Sequence, residues 1–388
     1  KIKPDGLPGI YKGIASLGGP AELRQIFEPD FHLSTTSQEA AWVALAASRR
    51  DKKPEGDLQV ILRSALKGTN DQLRVQAIGL ITRWKVTELH EAAAALAFDN
   101  VYSQSTRLAA LHALGELGIN EIKRLAKLVS SDVPIRFRIA GLESLARLDL
   151  PEAAKLGAGM VAGSQSIDEV LQTFLNREAG GEALTEALDK IRIGKAPAAV
   201  ALSRLQSIGS SETKLMDYLG KVVGLKNNVP TYSTGYVSSL VKASIKADSA
   251  NGKQLFSAVG CIACHKVGAA NNNGIPFIGP ELETIGNTLT TERIIEETIW
   301  PGRHVKEGYS LLQVTTKNGQ IHQGYEQRSR AKDVILRPLT QAATIIIPQG
   351  EIREQTELGS AMPVGLTANL SKQQLADLIC YLAEQGRN

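Results

Sequence analysis

Cys261-Ile262-Ala263-Cys264-His265 is the stretch on which the reading of this chain turns. Two thiols separated by two residues and followed at once by an imidazole admit three chemistries: covalent attachment of a c-type haem, a dithiol redox pair, or part of a zinc site. For haem attachment the spacing has a direct reason. A helical turn with two intervening residues sets both sulfurs along one porphyrin edge, where they form thioethers with the vinyl groups, and the next residue brings its imidazole beneath the iron. The surroundings separate the three readings. A thioredoxin-like dithiol sits in a βαβ context that the flanking sequence lacks, and a structural zinc needs a fourth ligand, although the remaining cysteine, Cys380, lies in an apolar helical pattern. The favoured reading is a covalent haem with His265 on the iron.

A second axial ligand should come from farther along the chain. Met362, followed by Pro363, stands in a Gly/Ser/Pro loop where core filling is an unusual use of methionine, whereas Met160 and Met216 fall in helical patterns that suit packing. Met362 is therefore the expected thioether ligand, since Met/His coordination is the common electron-transfer pairing. His304 and His322 are the competing ligands. Arg303 and Lys306 are candidates to neutralise a haem propionate, Trp300 and Tyr309 to line the pocket, and Cys380 to act as a buried hydrophobe.

Around the motif, residues 248–388 form a domain-sized stretch. The pattern predicts a helix from Ser249 to Val259, a Gly/Asn/Pro loop from Gly268 to Gly279, and a helix from Thr291 to Trp300 stopped by Pro301. Strand-like alternation follows in a small β-insert at about 309–353: 310–316, a Lys317-Asn318-Gly319-Gln320 turn, 321–325, 334–337 and 344–347. A last helix starts at Ser371, which with Gln374 makes a capping-box pair.

These residues carry a resemblance. Residues 249–388 resemble a class I cytochrome c, of the haem-binding type common in secreted planctomycete and verrucomicrobial proteins. Gly252 and Phe256 stand as in that family's first helix, and Tyr381 with Leu382 stands where its last helix crosses the glycine. Gly279-Pro280-Glu281-Leu282 resembles the family's proline segment, and Ser360-Ala361-Met362-Pro363-Val364-Gly365-Leu366 its distal-ligand loop. The resemblance implies one haem c held by Cys261, Cys264, His265, Pro280 and Met362. The iron would lie between His265 and Met362, and the Pro280 carbonyl would receive the proximal imidazole proton.

Upstream, residues 36–247 change to short Ala/Leu-rich stretches of helical spacing. Arg74, Ala77, Ile78 and Ile81 are echoed by Arg107, Ala110, Leu111 and Leu114, then by Arg138, Gly141, Leu142 and Leu145, at offsets of 33 and 31 residues. A small residue lets neighbouring helices approach while the aliphatics fill a shared core. With Pro134 before the third helix, the segment resembles HEAT-type helical repeats. Residues 1–35, rich in Gly and Pro, read as an irregular entry segment. The expected fold is mainly α: a HEAT-like α-solenoid, then a class I cytochrome c domain with a small β-insert.

Composition bounds the function. Hydrophobic residues make up 43% and mean hydropathy is −0.10, with no apolar run near the roughly 18 residues of a bilayer crossing, so no integral membrane segment is expected. A net charge of +4 gives no footprint for nucleic acid. Residues 251–388 hold 13 basic and 13 acidic residues, leaving that excess upstream. The first residue is Lys1 and no leader pattern is present, so any signal peptide is expected to have been removed or never to have been there.

An iron with both axial positions filled has no open site for substrate, so outer-sphere electron transfer is expected and no catalytic residue is assigned. The chain shows no dinucleotide-binding glycine fingerprint and no propeller repeat, so electrons are expected from a dehydrogenase partner or a missing fused domain, for delivery to a downstream acceptor. Haem attachment of this kind implies a periplasmic or otherwise extracytoplasmic protein. The alternatives are a haem-based sensor or peroxidase, and a HEAT-type interaction scaffold with a structural haem.

Overall fold

A computed structural model describes residues 7–27, 41–46, 53–225, 229–267, 277–327, 332–339 and 341–387. It is mostly helical with one antiparallel sheet near the C-terminus. The chain divides into two compact units, Lys1–Gly157 and Ala158–Asn388.

In the first unit the helices are α1 (Leu7–Leu17), α2 (Pro20–Arg24), α3 (Gln59–Lys67), α4 (Asp71–Trp84), α5 (His90–Phe98), α6 (Gln104–Glu116), α7 (Ile122–Ser130) and α8 (Ile135–Leu148). The irregular entry expected over 1–35 is helical where it is described; positions 1–6 and 28–35 lie outside the described residues. Pro20 explains the discrepancy: at the first helical position its fixed φ favours a helix, and Glu22 accepts from the Gly19 N–H at 2.8 Å.

The periodic positions behave as their spacing demands. Ala77, Ala110, Ile78, Ile81, Leu111, Leu114, Leu142 and Leu145 are each at most 1% exposed, and Gly141 is buried too. Each such Leu or Ile contributes about 1.5–3 kcal/mol by leaving water. Helix α4 packs on α6, and α6 on α8, so residues one period apart share one core. The closeness is real: a Cβ on Gly115 of α6 would stand 2.9 Å from Ser144 Cα of α8, whose hydroxyl donates to Leu111 O at 2.6 Å. The periodic arginines reach back to helix ends left without partners. Arg74 Nε donates to Leu66 O at 3.0 Å and Arg138 Nε to Val129 O at 2.7 Å, while Arg107 lies over the Phe137 ring.

Helix α9 (Leu150–Ala162) runs across the division between the units. The second unit continues with α10 (Ile167–Leu175), α11 (Gly180–Ile191), α12 (Lys195–Ser207), α13 (Thr213–Val223) and α14 (Thr234–Ser244). After these come α15 (Ser249–Ala258), α16 (Ile285–Thr288), α17 (Thr291–Ile299) and, at the end, α18 (Lys372–Glu384). Ser371 and Gln374 form the expected capping box on α18.

The composition change near 248 is not a gap in packing. Val237 and Leu240 of α14 are buried in one cluster with Phe256, Ile295, Leu378 and Leu382, and Trp300 Nε1 donates to Pro230 O at 2.8 Å.

Between α17 and α18 lie β1 (Ser310–Thr316), β2 (Ile321–Glu326), β3 (Asp333–Arg337), β4 (Ile345–Pro348) and β5 (Ile352–Ser360), in spatial order β4-β3-β2-β1-β5. The first hairpin turns at Gly319, whose φ of +77° suits glycine, and pairs Leu311 with Tyr325 and Val314 with His322. Strand β5 carries the sheet beyond the 353 limit expected from sequence. Its mostly exposed Ile352–Ser360 run lacks the apolar alternation that reveals a half-buried strand. This strand pairs Ser360 with Ser310 and hands the chain directly to Met362.

Candidate haem site

Helix α15 is pinned to α18 around Gly252 and Asp377. Gly252 meets the Asp377 carbonyl so closely that a Cβ would collide with it, and the same Cβ would lie 2.8 Å from Tyr381 Cβ. Asp377 then holds the start of α15: its carboxylate accepts from Asp248 N at 3.0 Å and from Asn251 Nδ2 at 2.7 Å. Burial raises this carboxyl, but those bonds and one from Gln373 outweigh it and leave it below its ordinary range. Phe256 stacks against Tyr381 with ring centroids 5.7 Å apart.

At the end of α15, Gly260 takes φ +93° and turns the chain into the 3-10 turn Cys261–Ala263, closed by Cys264 N–H to Cys261 O at 3.2 Å. His265 N–H donates to the same carbonyl at 3.0 Å. Cys261, Cys264 and His265 all border a cavity of about 340 Å³.

The imidazole is held from behind. Nδ1 lies 2.9 Å from Pro280 O, and because a carbonyl can only accept, Nδ1 carries the proton and Nε2 is left with its lone pair free to ligate. Gly279 makes this possible, since a Cβ there would overlap the His265 ring. The Gly279 N–H donates to Cys264 O at 2.8 Å and Leu282 N–H to Lys266 O at 2.9 Å, so the proline segment lies strapped along the motif. Burial pushes the imidazole below its ordinary value, with the Pro280 contact opposing, which keeps the ring neutral.

Met362 borders the same cavity as His265, with its backbone N–H bonded to Ser360 Oγ at 3.1 Å. Lys306 and Tyr309 also border it. His304 does too, and its Nε2 lies 3.3 Å from Glu296. Three other candidates are elsewhere. His322 sits in β2 outside the cavity lining, Arg303 lies over the Tyr232 ring at 3.6 Å, and Trp300 packs edge-on against Tyr232 and Tyr236. Cys380 is half-buried, with its thiol 3.6 Å from Ala247 O. Sequence reasoning missed Tyr325, which borders the cavity, stacks edge-on with Tyr309 at 5.3 Å and lies under Arg337. Burial pushes its hydroxyl up to about 12. Its inward alternation in β2 was the available signal. The Gly268–Pro276 part of the expected loop lies outside the described residues.

The competing chemistries fare poorly. Burial raises the Cys261 thiol to about 11 and lifts Cys264 as well, the reverse of the depressed value that makes a dithiol reactive. Among the described residues no three His, Cys, Asp or Glu gather as a metal-ligand set, which leaves zinc without a shell. The donor set fits a haem instead: two thiols two residues apart, an imidazole with its outer nitrogen free, and an apolar cavity beyond.

A model of the family described as Cytochrome c matches residues 249–385. This stretch is a cytochrome c domain. The match implies haem c binding and supports a haem-binding, electron-transfer role. No curated protein matches the chain. Among the described residues no helix is long and apolar enough to cross a membrane.

Proposed function

We propose that the chain is an extracytoplasmic, most specifically periplasmic, electron carrier with one haem c, thioether-bound to Cys261 and Cys264 and ligated by His265 and Met362. The observation that carries the reading is the bond from His265 Nδ1 to Pro280 O, which fixes the tautomer and leaves Nε2 as a donor toward the cavity that Met362 also borders. Bound there, the haem iron supplies one-electron chemistry.

The chain's own residues set the conditions for it. Pro280 holds the imidazole and raises its donor strength, Gly279 gives the ring room, and β5 delivers Met362. The apolar cluster of Ile278, Leu311, Tyr325, Leu339 and Ala361 backs the site and limits water. A low-dielectric surround and a thioether ligand both favour the reduced iron, which suits acceptance of electrons from a dehydrogenase and their transfer to a downstream protein. The helical segment before the domain is proposed to be HEAT-like repeats that present a docking surface. Its support is the shared core of α4, α6 and α8 at the sequence period.

The test is the visible spectrum, oxidised and reduced, of chain expressed with haem-maturation machinery, with and without Met362→Leu. The expected result is a c-type spectrum whose weak sulfur-to-ferric-iron band vanishes in the variant. A spectrum indifferent to the substitution moves the ligand to His304, the other non-proximal candidate bordering the cavity, or opens the site in favour of a sensor or peroxidase.

A further inference from the structure

The family match begins at residue 249, but the wall of the cavity begins earlier. Ser203, Gln206 and Ser207 of α12 border the same cavity as His265 and Met362. Their spacing of three and four puts them on one helical face, while Ala198, Ala201, Leu202 and Leu205 are buried on the other. The Ser207 hydroxyl donates to Arg204 O at 2.8 Å. Among the described residues the side chains of Ser203 and Gln206 bond to nothing in the chain, so the Gln206 amide is an unassigned polar group at the edge of an apolar cavity.

The placement of α12 is fixed against the parts that hold Met362. The turn after the helix passes through Gly209 at φ +62°, where a Cβ would stand 3.0 Å from Leu339 Cδ1 and 3.2 Å from Ala361 O, one residue before the methionine. Two residues on, Ser211 Oγ accepts from Gln323 Nε2 of β2 at 2.8 Å. A second tie joins the hairpin to the turn after α10: Ile321 N–H donates to Asn176 O at 2.9 Å, Glu178 N–H to Gly319 O at 3.1 Å, and Arg353 pairs with Glu178 at 2.7 Å.

We propose that α12 is a wall of the haem site contributed from outside the cytochrome domain, and that the neutral amide of Gln206 faces the haem and helps set its reduction potential. This rests on the haem reading above. A charge placed at position 206 would act across poorly screening protein, and the anionic and cationic substitutions must act with opposite sign on the ferric state.

The experiment is a potentiometric titration, followed by the visible spectrum, of the full haem-loaded chain and of Gln206→Glu, Gln206→Lys and Ser203→Glu. Ala199→Glu and Ala199→Lys, at an exposed position two turns earlier on α12 and outside the cavity lining, are the controls. At a fixed applied potential, Gln206→Glu should raise the ferric-to-ferrous ratio about fivefold and Gln206→Lys should lower it by a similar factor, on the order expected for a charge in protein of intermediate dielectric. Ser203→Glu should follow the sign of Gln206→Glu, and the Ala199 pair should move the ratio much less. Intact c-type spectra with position 206 moving the ratio no more than position 199 would overturn the inference alone. If Gln206→Glu fails to accumulate, Gln206→Lys and Ser203→Glu carry the same comparison. Absence of covalent haem from the unmodified chain would overturn both the inference and the functional reading.

Discussion

The helices of residues 1–157 and the cytochrome domain make room for close packing in opposite ways. In residues 1–157 smallness is periodic: Ala77, Ala110 and Gly141 recur with the helices, and each sits beside aliphatics that fill a shared core. In the cytochrome domain it is singular. Gly252 faces the Asp377 carbonyl, Gly279 the His265 ring and Gly286 the Ala383 carbonyl, each against a partner used once. A periodic device spreads its stability over equivalent interfaces, whereas a singular one concentrates function and failure at single atoms.

The largest expected effects come from emptying either core. Phe256→Ala should cost about 3–5 kcal/mol and Leu111→Ala about 2–5 kcal/mol. The contrast between the units sharpens if each lowers a different thermal transition, Phe256→Ala the one reported by the haem band and Leu111→Ala only a far-ultraviolet helical one. A single shared transition in both variants would break it.

Next in size is Gly252→Ala, whose added Cβ meets backbone that cannot swing away, at a cost of about 1–3 kcal/mol or more. Loss of stability measured by denaturant titration checks it, and an unchanged midpoint would show that α15 and α18 approach less closely.

Acid should separate the units more gently. Asp377 and Asp71 both lie below their ordinary range. At Asp71, burial raises the carboxyl and bonds from Ser103, Thr106 and Ser105 with the Arg74 charge outweigh it. A depressed carboxyl contributes stability that is present above its unfolded value of about 3.9 and is lost as pH falls through the lower folded value. Asp377→Asn should therefore flatten the acid loss of the haem-reported transition, and Asp71→Asn that of the helical one. The smallest effect has the opposite sign: Gly79→Ala, in α4 with open space around the added Cβ, should stabilise the first unit by about 0.5–1 kcal/mol in the same titration.

These differences also decide what could be read in advance. The periodic small and aliphatic positions were legible because the same spacing is written three times, and each of them is buried. The motif, the proline segment and the methionine loop were legible because each sets distinctive residue types at short spacing, and residues of all three border one cavity. Strand β5 was not, because as a sheet edge it is polar on both faces. The helical entry over 7–27 was masked by its glycines and prolines: Gly18, Gly19 and Pro20 lie at the junction of its helices, while Pro8, Gly9 and Gly13 lie within the first. Nothing local marks Ser203 or Gln206, since their place on the cavity depends on where α12 is held by the turn at Gly209, a long-range contact without a sequence period.

The central claim is a single covalent haem on Cys261 and Cys264, and the intact mass of the denatured chain, expressed with haem-maturation machinery, tests it most directly. The expected result is an increment of one haem that disappears in the double variant Cys261→Ala, Cys264→Ala. An unmodified mass in the parent chain, or an increment that survives in the double variant, would contradict it.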